Sequence, residues 1–177
     1  MRRVMFDIET LDTKSTAVML SIAAVEFDDQ QHQVLYHGFI DIQSCIDKGL
    51  TISADTLLWW MNQSTAAKKI FTMATSPLEK VLKKLINRTD WKTVDECWAN
   101  GSDFDFPIIA NAFRACDLVV PWPYYKQRDY RTVRKLFSQS VLDELTVKPT
   151  VAHDAEADCI AQLLTLKSLS EHLSYVP

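Results

Sequence analysis

Glycine is almost missing from this chain, with three residues in 177. Turns that elsewhere use glycine must rely here on Asp, Asn, Ser and Pro. No run of about 18 apolar residues occurs, so no membrane span is expected. The first residues lead into an acidic segment rather than an apolar one, so no signal peptide is expected either. Cys45, Cys97, Cys116 and Cys159 stand far apart. Without a C-x-x-C pair, neither a zinc site nor a disulfide scaffold is indicated. Free, mostly buried thiols in a reducing cytoplasm are the expectation. Excess positive charge is lacking too. The net charge is −4, whereas most nucleic-acid-binding domains are basic. A polyanionic partner would therefore need local positive charge or bound metal ions. What is present is 47% hydrophobic and 24% charged residues, the balance of a globular protein, with one domain expected over 1–177.

Two periodicities alternate along the chain. Residues 2–6, 18–29 and 33–42 read as strands, the last two joined by a polar turn at 28–31, which suggests an antiparallel meander. Ser53 is a candidate N-cap for a helix carrying the apolar run 57–61. Leu78, Val81, Leu82, Leu85 and Ile86 fall at i, i+3, i+4, i+7 and i+8, an amphipathic helix with Lys80, Lys83 and Lys84 on its other faces. Residues 96–101 read as a short buried strand, and 106–116 as a helix with Pro107 in its first turn. A tyrosine- and proline-rich loop, VVPWPYYKQRDYRT, follows. A last helix covers about 155–173, with Ala157, Ile160, Ala161 and Leu164 as its inner stripe. Three strands, helices, a strand and more helices make an α/β fold on a mixed sheet.

The chemistry-bearing residues sit at the ends of these segments. In FDIET, Asp7 and Glu9 are two apart, so on a strand they share a face. Like charges so placed repel and raise each other's pKa, unless water or a cation separates them. In WANGSDFDF, Asp103 and Asp105 stand where a strand gives way to a helix, a place that suits a site or a helix cap. In VAHDAEADC, His153 and Asp158 are five apart. On one continuous helix they diverge by roughly 140°, so they share a site only if His153 precedes the helix. Asp154, Glu156 and Asp158 also suit the dipole of a helix start. His32, His37 and His172 have no comparable acidic company and read as surface or core residues.

Taken in order, a strand-borne D-x-E, a mid-chain N…F-D and a late H-x4-D resemble the DEDDh group of DnaQ-like 3′-5′ exonucleases. LLWWMNQS, WANGSDFDFPII and QRDYRT narrow the resemblance to phage exonuclease A, exonuclease VIII-like proteins and related 3′-5′ exoribonucleases. The resemblance implies a ribonuclease H-like, mixed five-stranded sheet flanked by helices. It implies hydrolysis of terminal phosphodiesters to nucleoside 5′-monophosphates with two divalent cations, Mg²⁺ or Mn²⁺. Asp7, Glu9, Asp105 and Asp158 are the implied metal ligands, with Asp103 a neighbour. His153 is the implied general base, and imidazole exchanges protons readily near neutral pH. No glycine follows Thr10, a departure from the common form of the superfamily.

The expected partners are nucleic-acid 3′ ends, single-stranded or with an overhang, with no membrane and with a homodimer as one open state. Thr10, Leu11, Asn100 and Phe104 are candidates for holding the terminal nucleotide, with Leu11 as an apolar wedge. Trp59 and Trp60 point about 100° apart on a helix, so one faces the core and one can stack on a base, Trp60 being the first choice. Lys126, Arg128, Arg131 and Arg134 form the best basic cluster, with Arg128 and Arg131 as substrate contacts. A ribonuclease H-like endonuclease and a catalytically silent nucleic-acid-binding module are the alternatives.

Overall fold

The fold was analysed in a computed structural model, which describes residues 1–73 and 76–174. Five strands form one sheet: β1 (Arg3–Thr10), β2 (Met19–Phe27), β3 (His32–Phe39), β4 (Glu96–Ala99) and β5 (Gln127–Asp129). Their order is β3-β2-β1-β4-β5. β1, β2 and β3 pair antiparallel, while β4 and β5 run parallel to β1. The sheet is thus α/β and mixed, with the meander at one side. The helices are α1 (Ile42–Ile46), α2 (Ala54–Met61), α3 (Thr65–Lys68), α4 (Leu78–Ile86), α5 (Ser102–Ala115), α6 (Tyr130–Arg134), α7 (Gln139–Leu145) and α8 (Ala155–Ser174). No helix among the described residues is long and apolar enough to cross a membrane. All four cysteines are free and buried.

Alternation on β1 sends its side chains into two cores. Val4, Phe6 and Ile8 join the larger one with residues of α2, α4 and α5. There Phe6 lies against Trp122 and Trp91, with ring centroids 4.6 and 5.8 Å away. Met5 faces the other way, with Ala23, Val25 and Phe27, against Ala155, Cys159, Leu163 and Leu166 of α8. The Cys159 thiol lies 3.4 Å from the Met5 carbonyl, so α8 rests directly on the strand. Asp7 and Glu9 continue the Met5 row. The acids lie within β1, on one face of it as their spacing of two requires, and the strand runs on to Thr10, past the 2–6 stretch.

Several local expectations hold for physical reasons that the structure makes explicit. Ser53 caps α2 by accepting from the Thr56 N–H. Asp28 accepts from the N–H groups of Gln30 and Gln31 at 2.8 Å and closes the β2–β3 turn without glycine. On α4, Leu78, Val81, Leu82 and Leu85 are buried.

Other expectations need correction. β5 falls in the stretch read as a loop, because three half-buried residues carry no periodic signal. Helix α5 begins at Ser102, so Pro107 lies beyond its first turn. The inner row of α8 is Ala155, Cys159, Leu163, Leu166 and Leu169, not Ala157, Ile160 and Leu164, which are half-buried. His37 is not isolated: its Nδ1 lies 3.2 Å from the Glu156 carboxylate, tying β3 to the start of α8.

The start of α5 depends on a residue from the far edge of the sheet. Gly101 precedes the helix with φ +113, and a Cβ there would meet the Arg131 guanidinium at 2.8 Å. The positive φ favours glycine, and a side chain there would also displace the Arg131 guanidinium. The orphan N–H groups of Gly101 and Ser102 donate to one oxygen of Asp129 at 3.0 and 2.9 Å. The other oxygen accepts from the Thr132 N–H at 2.9 Å and from the Thr132 hydroxyl, capping α6. Burial alone would push the Asp129 carboxyl up, but bonds from Thr132, Ser102 and Gly101 hold it below the usual carboxylate range. One carboxylate thus starts two helices. Each lost cap costs about 1 kcal/mol. Asp129→Ala should therefore lower the melting temperature by roughly 4–8 °C. An unchanged thermal melt would contradict the double-cap assignment.

Candidate active site

Residues from both ends of the chain meet at the C-terminal end of β1. Oxygen atoms of Asp7, Glu9 and Asp158 lie within 4.8 Å of one another. Asp158 is in the first turn of α8, and Glu9 is buried, 8% exposed. A shift in register between Glu9 and Thr10 breaks the regular pairing with β2 just past the acids. Asp105, in the first turn of α5, is 3% exposed. It is not the helix cap, since that position belongs to Gly101 and its N–H groups to Asp129. Asp103 in the same turn is exposed.

Burial and mutual repulsion act together on these groups. Removal from water, then the charges of Asp105, Glu9 and Asp158, push the Asp7 carboxyl well above the usual range. Glu9 is pushed up to about 8, first by burial and then by Asp158, Asp154 and Asp105. Asp105 rises to about 7 through burial, partly offset by the backbone N–H groups of Asp105 and Ile8 and by the Arg131 charge. Asp158 is also raised by burial, with His153 opposing. A protein rarely gathers several buried acids that resist ionisation unless a cation or proton is to be held there.

His153 lies in the turn before α8, as the divergence argument requires. Its φ is +62, left-handed, a conformation that costs a non-glycine residue about 1 kcal/mol. Such strain at a site reflects placement imposed by the surroundings. Here Asp154 begins α8 by accepting from the Ala157 N–H at 3.0 Å. The imidazole stands edge-on to Trp59 and Trp60, with centroids 4.8 and 6.1 Å away.

A cleft of about 430 Å³ opens beside the acids, lined by Glu9, Thr10, Thr13, Asp55, Trp59 and Phe104 among others. Of the expected substrate contacts, the structure brings Thr10 and Phe104 to this cleft. Asn100 and Arg131 are not among its lining residues; the Arg131 guanidinium donates to the Asn100 carbonyl at 2.9 Å. Three expectations are corrected. Leu11 is 1% exposed and packs in the core, so it presents no wedge. Trp60 is 2% exposed and donates from Nε1 to the Thr10 carbonyl at 2.8 Å, so it shapes the cleft floor from behind. Trp59, 44% exposed, is the ring that faces the cleft. Arg128 is held by Glu96 at 3.1 Å and by the Tyr125 and Gln127 carbonyls, which leaves it outside the cleft lining. Asp55, Thr13 and Gln162 carry no motif and were not legible. Gln162 alone had a signal, at i+4 from Asp158 on one helix face.

The raised carboxyls make the metal-free protein sensitive to pH. Unfolded, these groups titrate near 4. Folded, Glu9 and Asp105 keep protons to about 8 and about 7. Between those limits the folded state binds more protons, so stability falls as pH rises. With chelator present, the melting temperature should drop between pH 5 and 8, and Glu9→Gln should flatten the drop. A wild-type profile that is flat or rising through this window would contradict the electrostatics.

Comparison with known proteins agrees with this geometry. The family model of the 3′-5′ exoribonuclease Rv2179c-like domain matches residues 2–169. The exodeoxyribonuclease of Enterobacteria phage T4 is 24% identical over 203 aligned positions, covering 91% of this chain and 86% of the phage protein. The zinc-bound complex of E. coli ExoI with single-stranded DNA superposes with a TM-score of 0.65 at 14% identity, over 98% of this chain. This chain spans 41% of that exonuclease. The nuclease domain of 3′hExo, a DEDDh family member bound to rAMP, superposes with a TM-score of 0.60 at 10% identity, over 98% of this chain and 92% of that domain. The sheet is accordingly a ribonuclease H-like one. With the family model matched across nearly the whole chain, the chain belongs to the Rv2179c-like 3′-5′ exoribonuclease domain family.

Proposed function

We propose that residues 1–177 act as one exonuclease domain, removing nucleotides from the 3′ end of single-stranded nucleic acid as nucleoside 5′-monophosphates with the help of two divalent cations. The observation that carries this reading is the set of Asp7, Glu9 and Asp158 oxygens within 4.8 Å of one another. With Asp105 they form an all-oxygen donor set, which suits hard ions such as Mg²⁺ or Mn²⁺. Asp7 feels the charge of the other three acids, so it would be the ligand best placed to serve both ions. When bound, the ions supply charge neutralisation at the phosphate and stabilise the attacking and leaving oxygens. They also explain how a chain of net charge −4 holds a polyanion.

The protein's own groups do the remaining work. His153, beside Asp158 and fixed by its turn and by two tryptophan edges, takes the proton of the attacking water. Trp59 and Phe104 offer apolar walls for the terminal base, and stacking on an aromatic ring contributes about 1–3 kcal/mol per base. Thr10 meets the terminal nucleotide at the head of β1. Asn100 and the adjacent Arg131 receive the sugar and a backbone phosphate. The single strand bound to E. coli ExoI supports an unpaired substrate.

The test offers matched 5′-labelled DNA and RNA strands with Mg²⁺ or Mn²⁺. Stepwise shortening from the 3′ end is expected. Internal cuts, or no metal-dependent cleavage of either strand, would overturn the reading. His153→Ala should lower turnover by about 10²-fold or more, while Mn²⁺ binding persists. Wild-type turnover in that variant across pH would remove His153 from the role of base.

A further inference from the structure

Gln162 lies in the second turn of α8, four residues after Asp158 and on the same helix face. It is 8% exposed. Its Nε2 donates to Asp7 Oδ1 at 2.9 Å. Its Oε1 is buried and has no hydrogen-bond partner among the described residues. Buried polar atoms are nearly always satisfied, so an orphan oxygen beside a charged cluster calls for a reason. The amide is also the one side chain among the described residues recorded as bonding Asp7, whose other near neighbours are acids that repel it.

We infer that Gln162 is a positioning residue for the ion site: its amide N–H fixes the Asp7 carboxylate through one oxygen, leaving the other to be shared, while its free carbonyl oxygen accepts from water in the filled site. This rests on the reading of Asp7, Glu9 and Asp158 as cation ligands. The geometry favours it. α8 is seated on β1 through Cys159, three residues before Gln162, so the amide has a fixed base from which to orient a strand side chain. Asp158 and Gln162 then work one turn apart, the first facing the ions and the second holding the carboxylate opposite. A neutral donor does this without adding another anion or competing as a cation. Groups that orient metal ligands typically change metal affinity or activity by 10–100-fold when removed.

The test measures Mn²⁺ binding by titration calorimetry without nucleic acid, and the Mn²⁺ dependence of strand shortening, in the full chain and in Gln162→Met and Gln162→Leu. Both replacements remove the amide while keeping bulk. The expected result is a metal-free melting temperature within a few degrees of wild type and Mn²⁺ affinity weakened about tenfold or more. Half-maximal activity should move to correspondingly higher Mn²⁺, and most of the lost activity should return at saturation. A merely structural role would not shift the metal curve while leaving the metal-free melt in place. If wild type binds Mn²⁺ and a folded variant binds it equally well, Gln162 has no such role and the nuclease reading stands. If wild type itself fails to bind Mn²⁺ or Mg²⁺, the cation site is wrong and this inference falls with it.

Discussion

Repulsion among buried carboxylates is the constraint around which the rest of this molecule is arranged. Asp7, Glu9, Asp105 and Asp158 would separate and hydrate if the backbone let them. Three elements prevent it. β1, at the centre of the sheet, is paired on both sides and packed on both faces. α8 is pressed onto β1 by Cys159 and Leu163. α5 starts where Asp129 and Gly101 oblige it to start. The apolar cores stabilise the fold, and part of that stability offsets the cost of holding the acids together. The consequence is a cluster with Glu9 raised to about 8 and Asp7 well above the usual carboxylate range, poised for a cation.

The surroundings of the cluster are built on the same logic. Trp60 is buried, yet its indole N–H bonds the Thr10 carbonyl just past the register shift that ends regular pairing. That bond ties the end of β1 to α2 and leaves Trp59 beside the cleft. Trp59 then touches His153, so one short helix shapes both the apolar wall and the imidazole's seat. On the far side, Arg131 donates to the Asn100 carbonyl, and its guanidinium lies against Gly101.

Much of this was legible in the residues, and what was not has a physical cause. Asp7 and Glu9 announce themselves because a strand has period two. His153 and Asp158 share a site only if the helix begins between them, and the acids at 154, 156 and 158 suit such a helix start. Trp59 and Trp60 could be separated only by packing, because neighbours on a helix differ by rotation alone. Leu11 is next to the site in sequence, where a wedge is expected, but turns into the core once β1 ends. The row of α8 that packs inward was misread because the helix is half-buried on several sides, which blurs its stripe. β5 and the double cap of Asp129 depend on contacts between distant residues, and no local pattern encodes them.

Diffraction from crystals soaked in Mn²⁺, recorded at the manganese absorption edge, tests the central claim most directly. The account predicts anomalous peaks bounded by the carboxylates of Asp7, Glu9 and Asp158, with Asp105 alongside. Ordered crystals with those side chains in place and no manganese between them, or manganese bound only elsewhere, would contradict it.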